Sequence, residues 1–170
     1  LSMFSNVGIA ETYLKEIGID IIIANELDSN RANLYKELYG KTKMIQGDIR
    51  DKIDEITEIS LKNKVQFLIA TPPCQGFSIA GRRDYTDDRN DLIHYVLKAI
   101  DKINPEYVVI ENVQNFLKHS ITYGKYKGSI ISVIKRKFSN KYNIEHGILN
   151  AKDYGVAQVR KRAFIIMEKK

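Results

Sequence analysis

The segment with the clearest potential for chemistry is 71–78, which reads Thr-Pro-Pro-Cys-Gln-Gly-Phe-Ser. It directly follows an apolar run, 65–70, that is typical of a buried strand. The two prolines restrict the backbone and remove two N–H donors, so the loop around Cys74 has a constrained shape. A thiol becomes a nucleophile when its pKa is lowered or a base lies nearby. A lone cysteine is more often a buried, inert side chain, but this setting favours a nucleophile.

Acidic side chains close two other predicted strands. Glu111 and Asn112 follow the apolar run 107–110, although Asn112 could instead cap a helix. Glu26 ends the second strand, 18 residues beyond Gly8. In nucleotide-binding α/β folds, an acidic residue about 20 residues past the glycine turn binds ribose hydroxyls. A complete G-x-G-x-x-G pattern is absent, however, and Glu26 could merely precede a helix capped by Asp28.

Two arginines precede the last apolar run, 163–167. Arg160 and Arg162 are two residues apart, so on an extended backbone they point to the same side. They could present two guanidinium groups to a base, a phosphate or a carboxylate. The alternative is a basic strand edge that discourages aggregation.

These residues need a scaffold in which strands alternate with helices. Short apolar runs at 21–24, 65–70, 107–110 and 163–167 predict strands that are covered on both faces. Apolar stripes with helical spacing lie between them, at Ile9, Tyr13, Leu14 and Ile17; at Ile49, Ile53, Ile56 and Ile59; at Leu92, Val96, Ala99, Ile100 and Ile103; and at Ile130, Val133, Ile134 and Phe138. This alternation predicts an α/β fold with a doubly wound, mostly parallel sheet that binds ligands at the carboxyl ends of its strands.

Composition narrows the function classes. The 170 residues fit one domain, and no apolar run is long enough to cross a membrane. The single cysteine excludes a disulfide within the chain and suits a cytoplasmic protein. The three histidines are scattered, so no metal cluster is predicted. The net charge of +6 weakly favours an anionic partner such as nucleic acid, although its basic clusters at 82–83, 135–137 and 160–162 could be solvated helix ends or loops.

The motifs, taken together and in this order, resemble the C5-cytosine-specific DNA methyltransferase family. Residues 72–78 look like its nucleophile motif, and 111–113 are similar to its Glu-Asn-Val motif. Residues 149–162 resemble the segment that ends in Gln-x-Arg-x-Arg. The cofactor motifs are matched by 4–8, 25–28, 47–49 and 89–92. The resemblance covers nearly the whole chain and implies an S-adenosylmethionine-dependent, Rossmann-like enzyme with an antiparallel hairpin at its C-terminal end.

The resemblance also implies a role for each matching residue. Phe4 would stack on the adenine of S-adenosylmethionine and Glu26 would hold its ribose. The remaining cofactor contacts would come from Gly8, Asp48, Ile49, Pro72 and Leu92. Cys74 would be the nucleophile, Glu111 and Arg160 would hold the cytosine, and Arg162 would support the site. The implied products are methylated DNA and S-adenosylhomocysteine, with no metal required.

The implied chemistry is covalent catalysis on a cytosine that has flipped out of the DNA duplex. The basic pair Arg82 and Arg83 could close over the DNA after flipping. A bacterial restriction–modification system is the setting that the family suggests.

The sequence departs from the family pattern at several points. Asn6 stands where glycine is usual, but asparagine tolerates left-handed backbone, so the turn is expected to persist. Ile9 replaces a second glycine and Ala157 replaces a frequent proline. The family normally continues into a target-recognition region and a final segment beside the cofactor site. We therefore expect residues 1–170 to be the catalytic and cofactor-binding domain alone, whether as a subunit of a split enzyme, a fragment or a degenerate product.

Two alternative functions stay open. A tRNA cytosine-C5 methyltransferase would use the same chemistry, although Gly76-Phe77-Ser78 looks more like the DNA enzymes. A catalytically silent methyltransferase-like subunit would need a partner chain. Intact Cys74, Glu111 and Arg160 argue against lost chemistry, whereas the missing recognition region argues that the chain alone is inactive. A nicotinamide oxidoreductase is disfavoured because the dinucleotide glycine pattern is absent.

Overall fold

The computed structural model describes residues 1–73 and 92–170. These residues form two compact units, one built from Leu1–Thr71 and Tyr95–Pro105, the other from Pro72–His94 and Glu106–Lys170. Residues 74–91 lie outside the described part of the chain. The predictions for Cys74, Arg82 and Arg83, and most of the 89–92 cofactor segment, fall there.

The first unit contains a four-stranded parallel sheet. Its strands are β1 (Ser2–Met3), β2 (Ile23–Glu26), β3 (Lys43–Gln46) and β4 (Phe67–Ala70). Their order in the sheet is β3-β2-β1-β4, and Met3 of the short central strand lies opposite Asn25 on one side and Ala70 on the other. β1 and β2 are buried throughout, as the apolar run at 21–24 predicts for a sheet that is covered on both faces.

Helices with acidic N-caps follow two of these strands. Asp28 accepts a hydrogen bond from the Arg31 N–H at the start of α1 (Ser29–Leu38). Asp48 accepts one from the Arg50 N–H at the start of α2 (Ile49–Lys62). Ile49, Ile53 and Ile56 of the predicted α2 stripe are buried, and Ile59 is half-buried. The next helix, α3 (Leu92–Ile103), carries the stripe predicted from Leu92 to Ile103. These caps fix where each helix begins and therefore where the preceding strand-end residues lie.

The prediction of a helix for the first apolar stripe, from Ile9 to Ile17, is wrong. The chain forms two short 3₁₀ turns there, Ile9–Glu11 and Leu14–Ile17, and reverses at Gly18 in the left-handed region. Ile9, Tyr13 and Ile17 are each more than 70% exposed. The reason is that 3₁₀ turns have three residues per turn, so side chains spaced for an α-helix do not align on one buried face.

The second unit is built on antiparallel strands. They are β5 (Tyr107–Val113), β8 (Tyr142–Asn150) and β9 (Lys161–Lys169), with β9 in the middle. A separate hairpin consists of β6 (Ser120–Tyr123) and β7 (Tyr126–Ser129), and α4 (Ile130–Phe138) packs against it. The predicted stripe of α4 is buried at all four positions. The predicted α/β class, with a parallel sheet and an antiparallel C-terminal hairpin, is thus confirmed.

Within the described residues, no helix has the length and the apolar character that a membrane crossing requires.

Candidate active site

The turn between β1 and the first 3₁₀ segment has an unusual backbone. Phe4, Asn6 and Gly8 all have positive φ, at 60°, 53° and 85°. The prediction that Asn6 keeps the turn where the family has glycine is therefore confirmed. A bulky residue such as Phe4 seldom adopts this region, and such strain is concentrated at ligand-binding sites.

Gly8 is required by a close neighbour as well as by its φ angle. The Tyr39 hydroxyl donates a 2.6 Å hydrogen bond to the Gly8 carbonyl. A Cβ atom added to Gly8 would overlap the Tyr39 ring. The turn is thus held from the C-terminal end of α1, a contact that no sequence motif indicated.

The Glu26 carboxylate joins this turn to the start of α1. Its Oε2 accepts a hydrogen bond from the Asn6 N–H at 2.8 Å, and its Oε1 accepts one from the Asp28 N–H at 3.0 Å. Glu26 is only 7% exposed. Because backbone donors hold both oxygens, the carboxylate has a fixed position relative to the turn, and each oxygen keeps a second lone pair for a ligand.

Asn25 fixes the next predicted cofactor segment. Its side-chain amide donates to the Ile45 carbonyl at 2.9 Å and to the Gly47 carbonyl at 3.1 Å. This places the end of β3 beside the end of β2, so Asp48 follows at a defined position. Ile49 is 3% exposed, so its side chain packs into the core and leaves little surface for a ligand.

Thr71 fastens the end of β4 to the same turn. Its hydroxyl donates to the Phe4 carbonyl at 2.9 Å, and its N–H donates to the Met3 carbonyl at 3.2 Å. Sequence reasoning missed Asn25, Tyr39 and Thr71 as positioning residues, although Asn25 lies inside a motif that it quoted.

These features fit an adenosyl cofactor. A carboxylate with free lone pairs at the end of β2 suits the two hydroxyls of a ribose, and it lies against a strained turn that carries Phe4. Among residues 1–73 and 92–170, no group of three or more histidine, cysteine, aspartate or glutamate side chains is arranged to hold a metal ion.

The second unit brings Glu111 and Arg162 together. Arg162 Nε lies 3.0 Å from Glu111 Oε1. Glu111 pairs with Phe164 across the ladder, and Arg162 pairs with Val113, so the two charged side chains are diagonal neighbours on one face. The antiparallel pairing of β5 and β9 therefore creates this ion pair.

The Glu111 carboxyl holds a proton more readily than an ordinary glutamate. Burial raises its pKa, while the positive charges of Arg162 and Arg160 act in the opposite direction. Burial outweighs the arginines, so the net pKa is above the usual value. A carboxyl in this state can donate a hydrogen bond or a proton to a basic nitrogen.

Asn112 does not cap a helix, contrary to the alternative that its sequence position suggested. It is 2% exposed, and its side-chain amide donates to the Pro72 carbonyl at 3.0 Å. Its side-chain oxygen accepts from the Val113 N–H at 2.8 Å. Asn112 thus holds the chain two residues before Cys74.

The remaining predicted residues lie at element ends. Arg160 precedes β9 by one residue, is exposed, and donates its N–H to the Asn150 side chain at 3.0 Å. Leu92 begins α3 and is buried, as is Pro72. In the first unit, the structure gathers Phe4, Gly8, Glu26 and Asp48 around one turn and strand edge.

The model of the C-5 cytosine-specific DNA methylase family matches residues 1–170, the whole chain. The chain belongs to this family.

Relatives of this methylase family cover the chain from end to end. The type II methyltransferase M1.HgaI of Avibacterium volantium is 46% identical over the full chain, which spans 50% of that protein. A crystal structure of an E. coli prophage protein assigned as a DNA modification methyltransferase has a TM-score of 0.75 and 28% identity, covering 99% of this chain and 45% of that one. The Dnmt2 methyltransferase of S. pombe has a TM-score of 0.73 and 21% identity, covering 98% and 47%, which supports the fold. The chain thus spans about half the length of these relatives.

Proposed function

We propose that the protein transfers a methyl group from S-adenosylmethionine to carbon 5 of cytosine in DNA, as a cytoplasmic bacterial modification enzyme. The observation that carries this proposal is Glu111, a carboxyl of raised pKa that Arg162 holds at 3.0 Å, in a chain that matches the cytosine-C5 family throughout. The match to a DNA methylase family supports the DNA substrate, and M1.HgaI, at 46% identity, supports the type II setting.

The first unit would bind the methyl donor, which supplies an electrophilic methyl group on a sulfonium. Glu26 accepts hydrogen bonds from the ribose hydroxyls through its free lone pairs, while the Asn6 and Asp28 N–H groups keep it in place. Phe4 stacks on the adenine and Gly8 lets the turn approach the donor. The first residues of α2, Asp48 and Ile49, contribute through the helix N-terminus rather than through the buried Ile49 side chain.

The proposed reaction begins with a cytosine that has flipped out of the duplex, at a cost of a few kcal/mol. The Cys74 thiolate attacks carbon 6 as Glu111 gives a proton to N3, which makes carbon 5 an enamine nucleophile. Carbon 5 would then take the methyl group that the bound donor supplies, with S-adenosylhomocysteine as the product. Release of the carbon 5 proton to water, expulsion of the Cys74 thiolate from carbon 6 and return of the N3 proton to the Glu111 carboxylate would restore the aromatic ring.

The arginines have separate roles in this proposal. Arg162 orients the Glu111 carboxyl through the ion pair and limits the rise of its pKa. Arg160, which is exposed, contacts the flipped cytosine. Asn112 is a positioning residue, because its amide bonds to the carbonyl of Pro72, two residues before Cys74. Recognition of a particular DNA sequence would need a further segment or subunit, since the chain corresponds to half of M1.HgaI.

The test is transfer of labelled methyl groups from S-adenosylmethionine to mixed-sequence DNA, with tRNA in parallel. We expect label on DNA for the wild type, and none for Cys74→Ser even though that variant still binds the cofactor by calorimetry. Ser139→Ala, at an exposed position after α4 and outside these motifs, is the control and should keep activity. Label on tRNA alone would show that the substrate is tRNA rather than DNA. Full activity of Cys74→Ser would exclude the covalent mechanism.

A further inference from the structure

The net positive charge of the chain comes from one segment. Residues 112–144 contain seven lysines and arginines and no aspartate or glutamate. The rest of the chain has 20 basic and 21 acidic residues, so this segment accounts for the whole net charge of +6. A field of one sign over a continuous surface attracts a polyanion.

The fold gathers part of this charge at the tip of the β6–β7 hairpin and the last turn of α4. Arg136 donates to the Lys127 carbonyl at 3.3 Å. Its guanidinium lies 5.5 Å from the centre of the Tyr126 ring, and the Lys125 ammonium lies 5.6 Å from the same centre. We call Lys125, Tyr126, Lys127 and Arg136 the basic hairpin.

A second aromatic ring, that of Tyr123, lies near another lysine of α4. The Lys137 ammonium lies 6.0 Å from the centre of the Tyr123 ring, which is nearly parallel to the His94 ring at 6.1 Å. His94 also forms a 2.7 Å hydrogen bond with the Thr122 carbonyl, so the hairpin is attached to the start of α3. The cations are therefore held by a folded surface rather than by a loose loop.

Capping of α4 explains only some of these charges. Lys135, Arg136 and Lys137 lie in the last turn of α4, where cations favour the helix dipole. Lys125 and Lys127 are exposed on a hairpin and have no such role. Lys125 and Arg136 lie over the same ring, and residues 112–144 contain no carboxylate. The two positive charges therefore repel each other, and a bound anion would reduce this repulsion.

We propose that the basic hairpin binds the phosphate backbone of the DNA substrate without reading its sequence. The proposal rests on the proposed function for the choice of DNA. Phosphates are the expected contact because lysines bind phosphates as point charges and because two cations already lie over the Tyr126 ring, where a base would stack. The basic hairpin would hold the duplex while chemistry proceeds elsewhere in the protein.

The experiment measures binding of a fluorescent mixed-sequence duplex over about 50 to 200 mM salt, by anisotropy. Lys125→Gln plus Lys127→Gln should make the slope of log affinity against log salt shallower by about 2, since each phosphate contact contributes about 1. The control is Lys41→Gln plus Lys62→Gln, which removes two exposed lysines from the first unit and should leave the slope as in the wild type.

An unchanged slope in the hairpin variant, or an equal change in the control, would overturn the proposal. Binding to vesicles of phosphatidylcholine with phosphatidylglycerol is measured in parallel. If the hairpin variant loses binding to these vesicles and keeps its DNA binding, the proposal fails and the surface is assigned to lipid. Methyl transfer is measured separately. If the slope responds but no DNA is methylated, only the proposed reaction fails; if methylation is present and the slope does not respond, only the basic hairpin fails.

Discussion

Two carboxylates lie in strands of this protein, Glu26 at the end of β2 and Glu111 within β5, and they are held in different ways. Glu26 receives backbone N–H groups on both oxygens, whereas Glu111 receives an arginine side chain on one oxygen. Backbone dipoles fix a carboxylate that has to accept hydrogen bonds from a ligand. For Glu111, burial raises the pKa and the arginine charges lower it, and the balance decides how readily the carboxyl holds a proton. Acid–base chemistry depends on this property.

The two sites also differ in how far their parts lie along the chain. Asn6 and Asp28, which hold Glu26, are within 22 residues of one another, while Glu111 and Arg162 are 51 residues apart. In the first site, backbone N–H groups hold Glu26 itself, while Tyr39 and Thr71 hold the turn. The second depends on the pairing of two distant strands, so a substitution in one should not affect the other.

The largest effect should follow Glu111→Gln. The amide cannot deliver a proton to N3, so we expect kcat for methyl transfer to fall roughly 10²- to 10⁴-fold. The affinity for S-adenosylmethionine should stay as in the wild type, because Glu111 belongs to the second site. Glu145→Gln, an exposed carboxylate on β8, serves as the control. A parallel loss of cofactor affinity would contradict the separation of the two sites.

Glu26→Ala should reverse this pattern. It removes hydrogen bonds to a charged group, each contributing about 1.5–3 kcal/mol, so cofactor affinity should fall about 10- to 100-fold by calorimetry. The value of kcat at saturating cofactor should change much less. Asp28→Ala is a matched control, since it should cost about 1 kcal/mol of stability through the lost cap while cofactor affinity stays intact.

The pH profile tests how Arg162 acts on Glu111. Arg162 lowers the pKa of that carboxyl against the effect of burial, so Arg162→Gln should raise the pKa further. Because the protonated form is the active one in the proposed reaction, the alkaline limb of kcat should move to higher pH. Lys161→Gln changes a neighbouring exposed cation and should leave the limb in place. A shift to lower pH would show that Arg162 does not stabilise the ionised carboxylate.

The smallest effect should come from Asn6→Gly. Glycine adopts the φ of 53° freely but loses more entropy on folding, so unfolding free energy should change by less than about 0.5 kcal/mol. Asn6→Val should cost at least about 1–2 kcal/mol, because a β-branched residue is strained there. Equal effects of the two substitutions in urea unfolding would mean that the left-handed turn is not required.

Local patterns predicted most of the scaffold. The apolar runs predicted β2, β4, β5 and β9 within a few residues, because buried strands contain β-branched residues on both faces. The turn at 4–8 and the helix cap at Asp28 were also predicted from residue type. The stripe from Ile9 to Ile17 failed, because periodicity reports spacing and not whether a surface covers the side chains.

Contacts between residues that are distant in the chain could not be predicted from the sequence. Nothing local indicates that Tyr39 packs on Gly8, or that Asn112 bonds to the Pro72 carbonyl across 40 positions. The β6–β7 hairpin did carry a signal, since Gly124 at positive φ lies in the two-residue turn between Tyr123 and Tyr126. The roles of all the site residues, including Cys74, Glu26 and Glu111, stay predictions.

The register of β5 with β9 has a consequence for biosynthesis. The first unit has all of its residues once Pro105 has been translated, while the second unit must wait for β9, which ends at Lys169. Long-range strand pairing forms slowly because distant segments must first meet. A nascent chain should therefore form the turn at residues 4–8 while Glu111 is still without Arg162, so that the ion pair is made later than the turn.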